Sequence, residues 1–153
     1  MTFFCINCFA EIDAEAESCW RCGATQNLDA HDYATKVRMA LAHPLADTRR
    51  RAIFLLGEKH LAEAVNQLIQ LIDTEPDPFL VQEAVVALGK IGGVNALTAL
   101  VRAVRHKSFL VRACAVEALI IAGGVWEKTA VKLALEDPSE TVRETVRGGI
   151  DET

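Results

Sequence analysis

Long apolar runs are missing from this chain. No stretch approaches the ~18 residues that a membrane-crossing helix needs, which excludes a chain built on membrane spans. Aromatic residues make up only 6% of the sequence, against 23 alanines. A core so poor in aromatics and so rich in alanine suits closely packed helices rather than a β-sandwich. No basic stretch followed by an apolar one opens the sequence, so no signal peptide is expected, and the expected location is cytoplasmic. Glycine-rich phosphate loops, a nucleophile elbow and a convergent acid pair are also lacking. An enzyme is therefore not expected. The 153 residues suffice for one or two compact units and not for a large multidomain protein.

Positive charge is scarce as well. The net charge is -5, and non-specific nucleic-acid binding rests on phosphate neutralisation, so such binding is a poor candidate for the main role. The charge is unevenly placed. Residues 1–30 carry one base, Arg21, against five acids, net -4. The window 86–135 carries seven bases against Glu117 and Glu127, net +5.

Cysteine is sparse except at one place. Four of the five cysteines fall within the first 22 residues, as Cys5-x2-Cys8, ten residues, then Cys19-x2-Cys22. Two residues between cysteines let a tight turn aim both sulfurs at one ion. Two such knuckles complete a closed tetrahedral site of the structural kind, with no open position for water. So short a segment cannot bury enough surface to fold alone, and a metal would supply its folding free energy. Disulfides require an oxidising compartment, and a redox Cys-x-x-Cys usually sits beside a strand at a helix start. Neither context is present. A single iron shares the four-thiolate donor set. Zinc is the expected ion, held by Cys5, Cys8, Cys19 and Cys22.

The segment 3–24 resembles the short zinc-ribbon family, whose chains often open as Cys-x-x-Cys-Gly-x-x-Ile, about ten residues, Cys-x-x-Cys-Gly. Ile12 and Gly23 match. Phe9 stands where the first knuckle usually has glycine, which predicts an altered first turn. The resemblance implies a rigid recognition or docking module. Trp20 and Phe9 flank the knuckles and are expected to cover the sulfurs or pack on neighbouring helices, with partner contact as the other reading.

The remainder repeats. Leu56-Gly57, Leu88-Gly89, Leu119-Ile120 and Ile150 recur at intervals of 32, 31 and 31 residues. Pro44, Pro76, Lys107 and Pro138 share another slot. Each unit reads as two helices. The first carries Thr48/Leu80/Val111/Val142, then Ala52/Ala84/Ala115/Val146, then Leu56/Leu88/Leu119/Ile150, an i, i+4, i+8 apolar stripe. The second carries Leu68/Leu100/Val131 and Ile72/Val104/Leu135. The expected domains are a ribbon at 1–27 and a helical array at 31–153. The array comprises a half-unit at 31–42, repeats at 47–73, 78–106 and 108–136, and a capping helix at 139–150. Arg147 replaces Ile53, Val85 and Val116 in its slot, the polar outer face that the end of an array requires. His31, His43, His60 and His106 are read as sharing no slot. Cys114 is read as a half-buried free thiol.

The segments Leu80-Val81-Gln82-Glu83-Ala84-Val85-Val86-Ala87-Leu88-Gly89 and Val111-Arg112-Ala113-Cys114-Ala115-Val116-Glu117-Ala118-Leu119 resemble the HEAT-repeat superfamily, in its short class of bilin-lyase-type proteins. Val-Arg pairs stand at Val111-Arg112 and Val142-Arg143, with departures at Thr48-Arg49 and Leu80-Val81. The resemblance implies an all-α, right-handed α-solenoid of helical hairpins that serves as a protein-interaction scaffold. Nucleic-acid binding or bilin attachment are the alternative roles it implies. The expected partner surface takes in Arg102, Arg105, Trp126, Lys128 and Lys132, with Asn66, Gln67, Gln70 and Thr98 on the same second-helix faces. Phe54 and Val86, apolar where later units have Glu117 and Gly148, form a further expected patch covered by the ribbon or a partner.

Overall fold

The computed structural model describes residues 3–26 and 31–150. It divides into two compact units, Met1–Ala52 and Ile53–Thr153. The first unit opens with a two-stranded antiparallel ribbon, β1 (Phe3–Phe4) and β2 (Glu11–Ile12), with Phe3 opposite Ile12 and Phe4 opposite Glu11. Its small interior is Cys5, Ala10 and Cys19. Helix α1 (Tyr33–Met39) follows and tightens into a 3-10 turn at Ala40–Ala42. Asp32 starts α1 by accepting the Thr35 amide at 2.8 Å, which satisfies one of the unpaired donors at a helix start.

Helix α2 (Ala46–Glu58) leads into α3 (Val65–Thr74), α4 (Pro78–Ile91), α5 (Val94–Ala103), α6 (Phe109–Ala122), α7 (Gly124–Ala134) and α8 (Glu140–Ile150). These follow the periodicity closely. First helices pack on first helices, α4 on α6 and α6 on α8, and the second helices α5 and α7 pack beside α4 and α6. The predicted stripe is the core: Leu80, Ala84, Leu88, Val111, Ala115, Leu119, Val142 and Val146 are all buried, while the side chain of Ile150 lies outside the described residues. None of the described helices is long and apolar enough to cross a membrane.

The stack is close because the motif glycines allow it. A Cβ on Gly57 would lie 2.9 Å from the Ala87 Cα, and one on Gly89 would lie 2.9 Å from the Ala118 Cβ. Both glycines sit at crossings where a methyl group has no room. Arg147 is exposed on α8. Leu135 departs from expectation. It is 56% exposed, and the buried line of α7 is Ala130 and Ala134 instead.

Each first helix of a repeat is entered through the same turn. His43 Nδ1 accepts the Leu45 amide at 3.1 Å, Glu75 Oε1 the Asp77 amide at 3.2 Å, His106 Nδ1 the Ser108 amide at 3.1 Å, and Asp137 Oδ1 the Ser139 amide at 2.8 Å. His43 and His106 therefore do share a slot, one residue before the Pro44 and Lys107 slot, contrary to the sequence reading. Side-chain acceptors of different chemistry do one job there, which hides the slot from residue matching. In three of the four, an arginine six residues on closes the turn. Arg49 donates to the His43 carbonyl at 2.9 Å, Arg112 to that of His106 at 2.9 Å and Arg143 to that of Asp137 at 2.6 Å. Arg112 also grips the Asp137 carboxylate with two bonds, Nε to Oδ2 at 2.7 Å and Nη2 to Oδ1 at 2.9 Å. The pair joins α6 to the entry of α8 and is nearly buried, with side-chain exposures of 13% and 5%.

Candidate metal centre and interaction surfaces

The two cysteine knuckles are built alike. In the first, Phe9 N donates to Cys5 O at 3.0 Å and Cys5 N to Ala10 O at 2.9 Å; in the second, Gly23 N donates to Cys19 O and Cys19 N to Ala24 O, both at 2.9 Å. Backbone donors then face the sulfurs: Asn7 N to Cys5 Sγ at 3.4 Å, and Arg21 N to Cys19 Sγ at 3.3 Å. The turn demands a left-handed residue after the second cysteine. Gly23 supplies it with φ 73°, and Phe9 adopts it with φ 53°. The first knuckle is thus kept rather than altered. A left-handed conformation costs a residue with a Cβ about 1–2 kcal/mol. The Phe9 ring offsets part of this by meeting the His43 ring edge-on at 5.4 Å, beside Phe4 at 4.8 Å. The expectation that Phe9 packs on the neighbouring helical segment holds. For Trp20 it fails, because that ring is exposed.

All four Sγ atoms lie within 4.8 Å of one another. The Cys5–Cys22 and Cys8–Cys19 separations are 3.6 and 3.7 Å. A tetrahedral ion with Zn–S bonds of ~2.3 Å places its sulfurs about 3.8 Å apart, so the cluster has the dimensions of a four-thiolate metal site. Two further donors, which the sequence pattern did not single out, complete the surroundings. Gln26 Nε2 reaches Cys5 Sγ at 3.4 Å while its Oε1 accepts the Ile6 amide at 3.0 Å, and Asn7 Nδ2 points at Cys22 Sγ at 3.6 Å. Burial pushes the Cys5 thiol up, but the Cys8 and Asn7 amides and the Gln26 side chain outweigh it and hold the group at about 6. Hydrogen bonding at Ala24 and Asn7 lowers the Cys22 thiol too. Cys8 runs the other way: against the lowering by the Ala10 amide, burial and the Cys22, Cys19 and Cys5 sulfurs push it up to about 11, so four thiolates together require a bound cation. A polar residue a few positions past the last Cys-x-x-Cys is a signal that could have found Gln26.

Cys114 stands apart from this cluster and is half-buried, with burial pushing its thiol above the ordinary range.

On the second unit, the residues expected to meet a partner are exposed: Asn66, Gln67, Gln70, Thr98, Arg102, Arg105, Lys128 and Lys132, with Trp126 half-exposed. Arg102 and Arg105 line a cleft of about 480 Å³ at the C-terminal ends of α3 and α5. Ile69, Ile72, Ala99 and Ala103 supply its apolar lining, and Lys107, Asp73 and Glu75 its remaining charge. Among the described residues neither Arg102 nor Arg105 has a side-chain ion-pair partner. Lys128, Lys132 and Trp126 lie on α7 and do not line the cleft. Phe54 and Val86 are 42% and 36% exposed. The Lys90 ammonium sits 5.5 Å above the Phe54 ring and pairs with Glu58, so part of that patch is covered by a repeat-to-repeat contact.

A family model described as HEAT repeats covers residues 34–120. No curated protein matches the chain.

Proposed function

The chain belongs to the HEAT-repeat family, and from that premise we propose that it is a non-enzymatic protein-interaction scaffold whose N-terminal ribbon is held by a structural zinc ion. The observation that carries the scaffold reading is the cleft at Arg102 and Arg105. Arg102 and Arg105, which form no side-chain ion pair among the described residues, line it together with Ile69, Ile72, Ala99 and Ala103. Arginine beside a desolvated apolar surface is a common energetic centre of protein interfaces. Lys128 and Lys132 extend the positive surface along α7, and Trp126, Phe54 and Val86 are secondary contacts.

Groups that could do chemistry have other work. His43 and His106 accept turn amides, and burial lowers both below the usual histidine range. Four ligands leave a zinc ion no open position, so the metal holds the fold and activates nothing. Free thiolates persist in a reducing compartment, which supports a cytoplasmic location. The acidic total disfavours nucleic acid as the partner.

The test is paired capture from the native host with the wild-type chain and with the double variant R102E/K132E. A protein that copurifies reproducibly with the first and is lost from the second is the expected result. Equal capture by both would discard the cationic face. Metal analysis should give one zinc per chain, and a coloured iron-containing product would replace zinc with iron.

A further inference from the structure

Trp20 belongs to neither the sulfur cluster nor the repeat core. Its side chain is 76% exposed, yet it is not loose. The indole Nε1–H donates to the Glu11 carbonyl at 2.9 Å, and its chain neighbours are Cys19, whose sulfur takes the Arg21 amide, and Arg21 itself. The ring is therefore tied to β2 at one end and to the second knuckle at the other. Its one polar atom is satisfied within the ribbon. What remains for solvent is the π-face of an immobilised aromatic ring, which loses little conformational freedom on binding.

The charge of the ribbon is mostly of one sign, with Arg21 beside the ring as the exception. Glu11, Asp13, Glu15 and Glu17 are all exposed, and among the described residues none has an ion-pair partner. Arg21 is the one base in residues 3–26, giving net -3, and four thiolates with a divalent ion make it -5. The face of an indole attracts cations through its quadrupole, and the carboxylates add to that field.

We propose that the ribbon is a docking surface in its own right, and that its occupant is a basic segment of a partner protein, with a lysine or arginine stacked on Trp20. Nucleic acid would be repelled by the same carboxylates. A purely apolar partner would desolvate them without compensation. The scaffold would then offer two surfaces of opposite charge to two different kinds of partner.

The test uses the full-length, zinc-loaded protein and a short labelled peptide of alternating lysine and glycine, followed by fluorescence anisotropy. W20L should weaken binding about threefold to tenfold, the range of an exposed to partly desolvated cation–π contact. E15Q/E17Q should weaken it too and flatten its salt dependence. The peptide with glutamine in place of lysine should not bind. Equal affinity of W20L and wild type would overturn the proposal, since the peptide would then sense net charge alone. NMR on the wild-type protein supplies a readout that needs no variant. Lysine side-chain protons of the peptide should move upfield in the ring current of Trp20, and unmoved signals at saturation would overturn it. Sedimentation closes the remaining route: a wild-type dimer that W20L dissolves and the peptide fails to displace would make a second copy the occupant and refute the assignment.

Discussion

Replacing Gly57 or Gly89 by alanine sets two calculable effects against each other. Alanine in a helix interior is favoured over glycine by about 1 kcal/mol, through backbone entropy. Both glycines lie inside helices, α2 and α4, so propensity alone predicts stabilisation. Packing predicts the reverse. The new Cβ at position 57 would sit 2.9 Å from the Ala87 Cα and 3.1 Å from its Cβ. At position 89 it would sit 2.9 Å from the Ala118 Cβ. Neither obstacle is the end of a flexible side chain, so whole helices must separate by several tenths of an ångström. Overpacking of this kind costs roughly 1–3 kcal/mol, and separating the helices loosens the Leu56, Leu88 and Leu119 stripe as well. The expected net effect of G57A is a destabilisation of about 1–2 kcal/mol, or roughly 4–8 °C of Tm per kcal/mol for a unit of this size. Urea unfolding followed by helical circular dichroism measures it. The steric cause is isolated by a cycle: A118G removes the methyl that G89A meets, so the double variant should be more stable than the two single effects sum to, by about 1 kcal/mol or more. If G57A and G89A both raise the midpoint, or the cycle is additive, the close-approach argument is wrong.

The remaining predictions are shorter. The Arg112 guanidinium beside Asp137, together with the Ser139 amide, holds that carboxyl below its usual range against the upward push of burial. A depressed folded-state value means that the contribution is complete above the unfolded value near 4 and is lost as pH falls through the folded one. D137N should therefore cost about 2 kcal/mol at neutral pH, and the gap from wild type should close in acid titrations below about pH 4. An unchanged gap there would show that Asp137 acts through shape and not charge. Cys5→Ser should abolish zinc retention and hydrogen-exchange protection across residues 3–26, while the helical signal of the second unit stays. Phe9→Gly relieves the left-handed residue but removes its ring from His43. Metal content should stay at one ion per chain while the first unit loses thermal stability, and a rise in stability would mean that the ring contributes less than the strain it imposes.

The helix positions and the four-cysteine cluster were legible in the residues because both are local codes. An apolar residue every fourth position can bury itself in only one way, so the Leu80–Ala84–Leu88 stripe dictates both the helix and its buried face. Two residues between cysteines dictate the knuckle. The turn before each first helix was only half legible, since histidine, glutamate and aspartate all accept the same amide and so hide the slot. What tertiary structure alone decided depends on neighbours distant in sequence. Arg112 meets Asp137, 25 positions away. Leu135 repeats Val104 in sequence, yet it is exposed where Val104 is buried. Phe9 holds a glycine's conformation because His43 lies beside its ring. The indole of Trp20 faces water because its one donor is anchored within the ribbon. Periodicity states which surfaces must be covered; only the folded chain determines which neighbour covers them and which surfaces stay open.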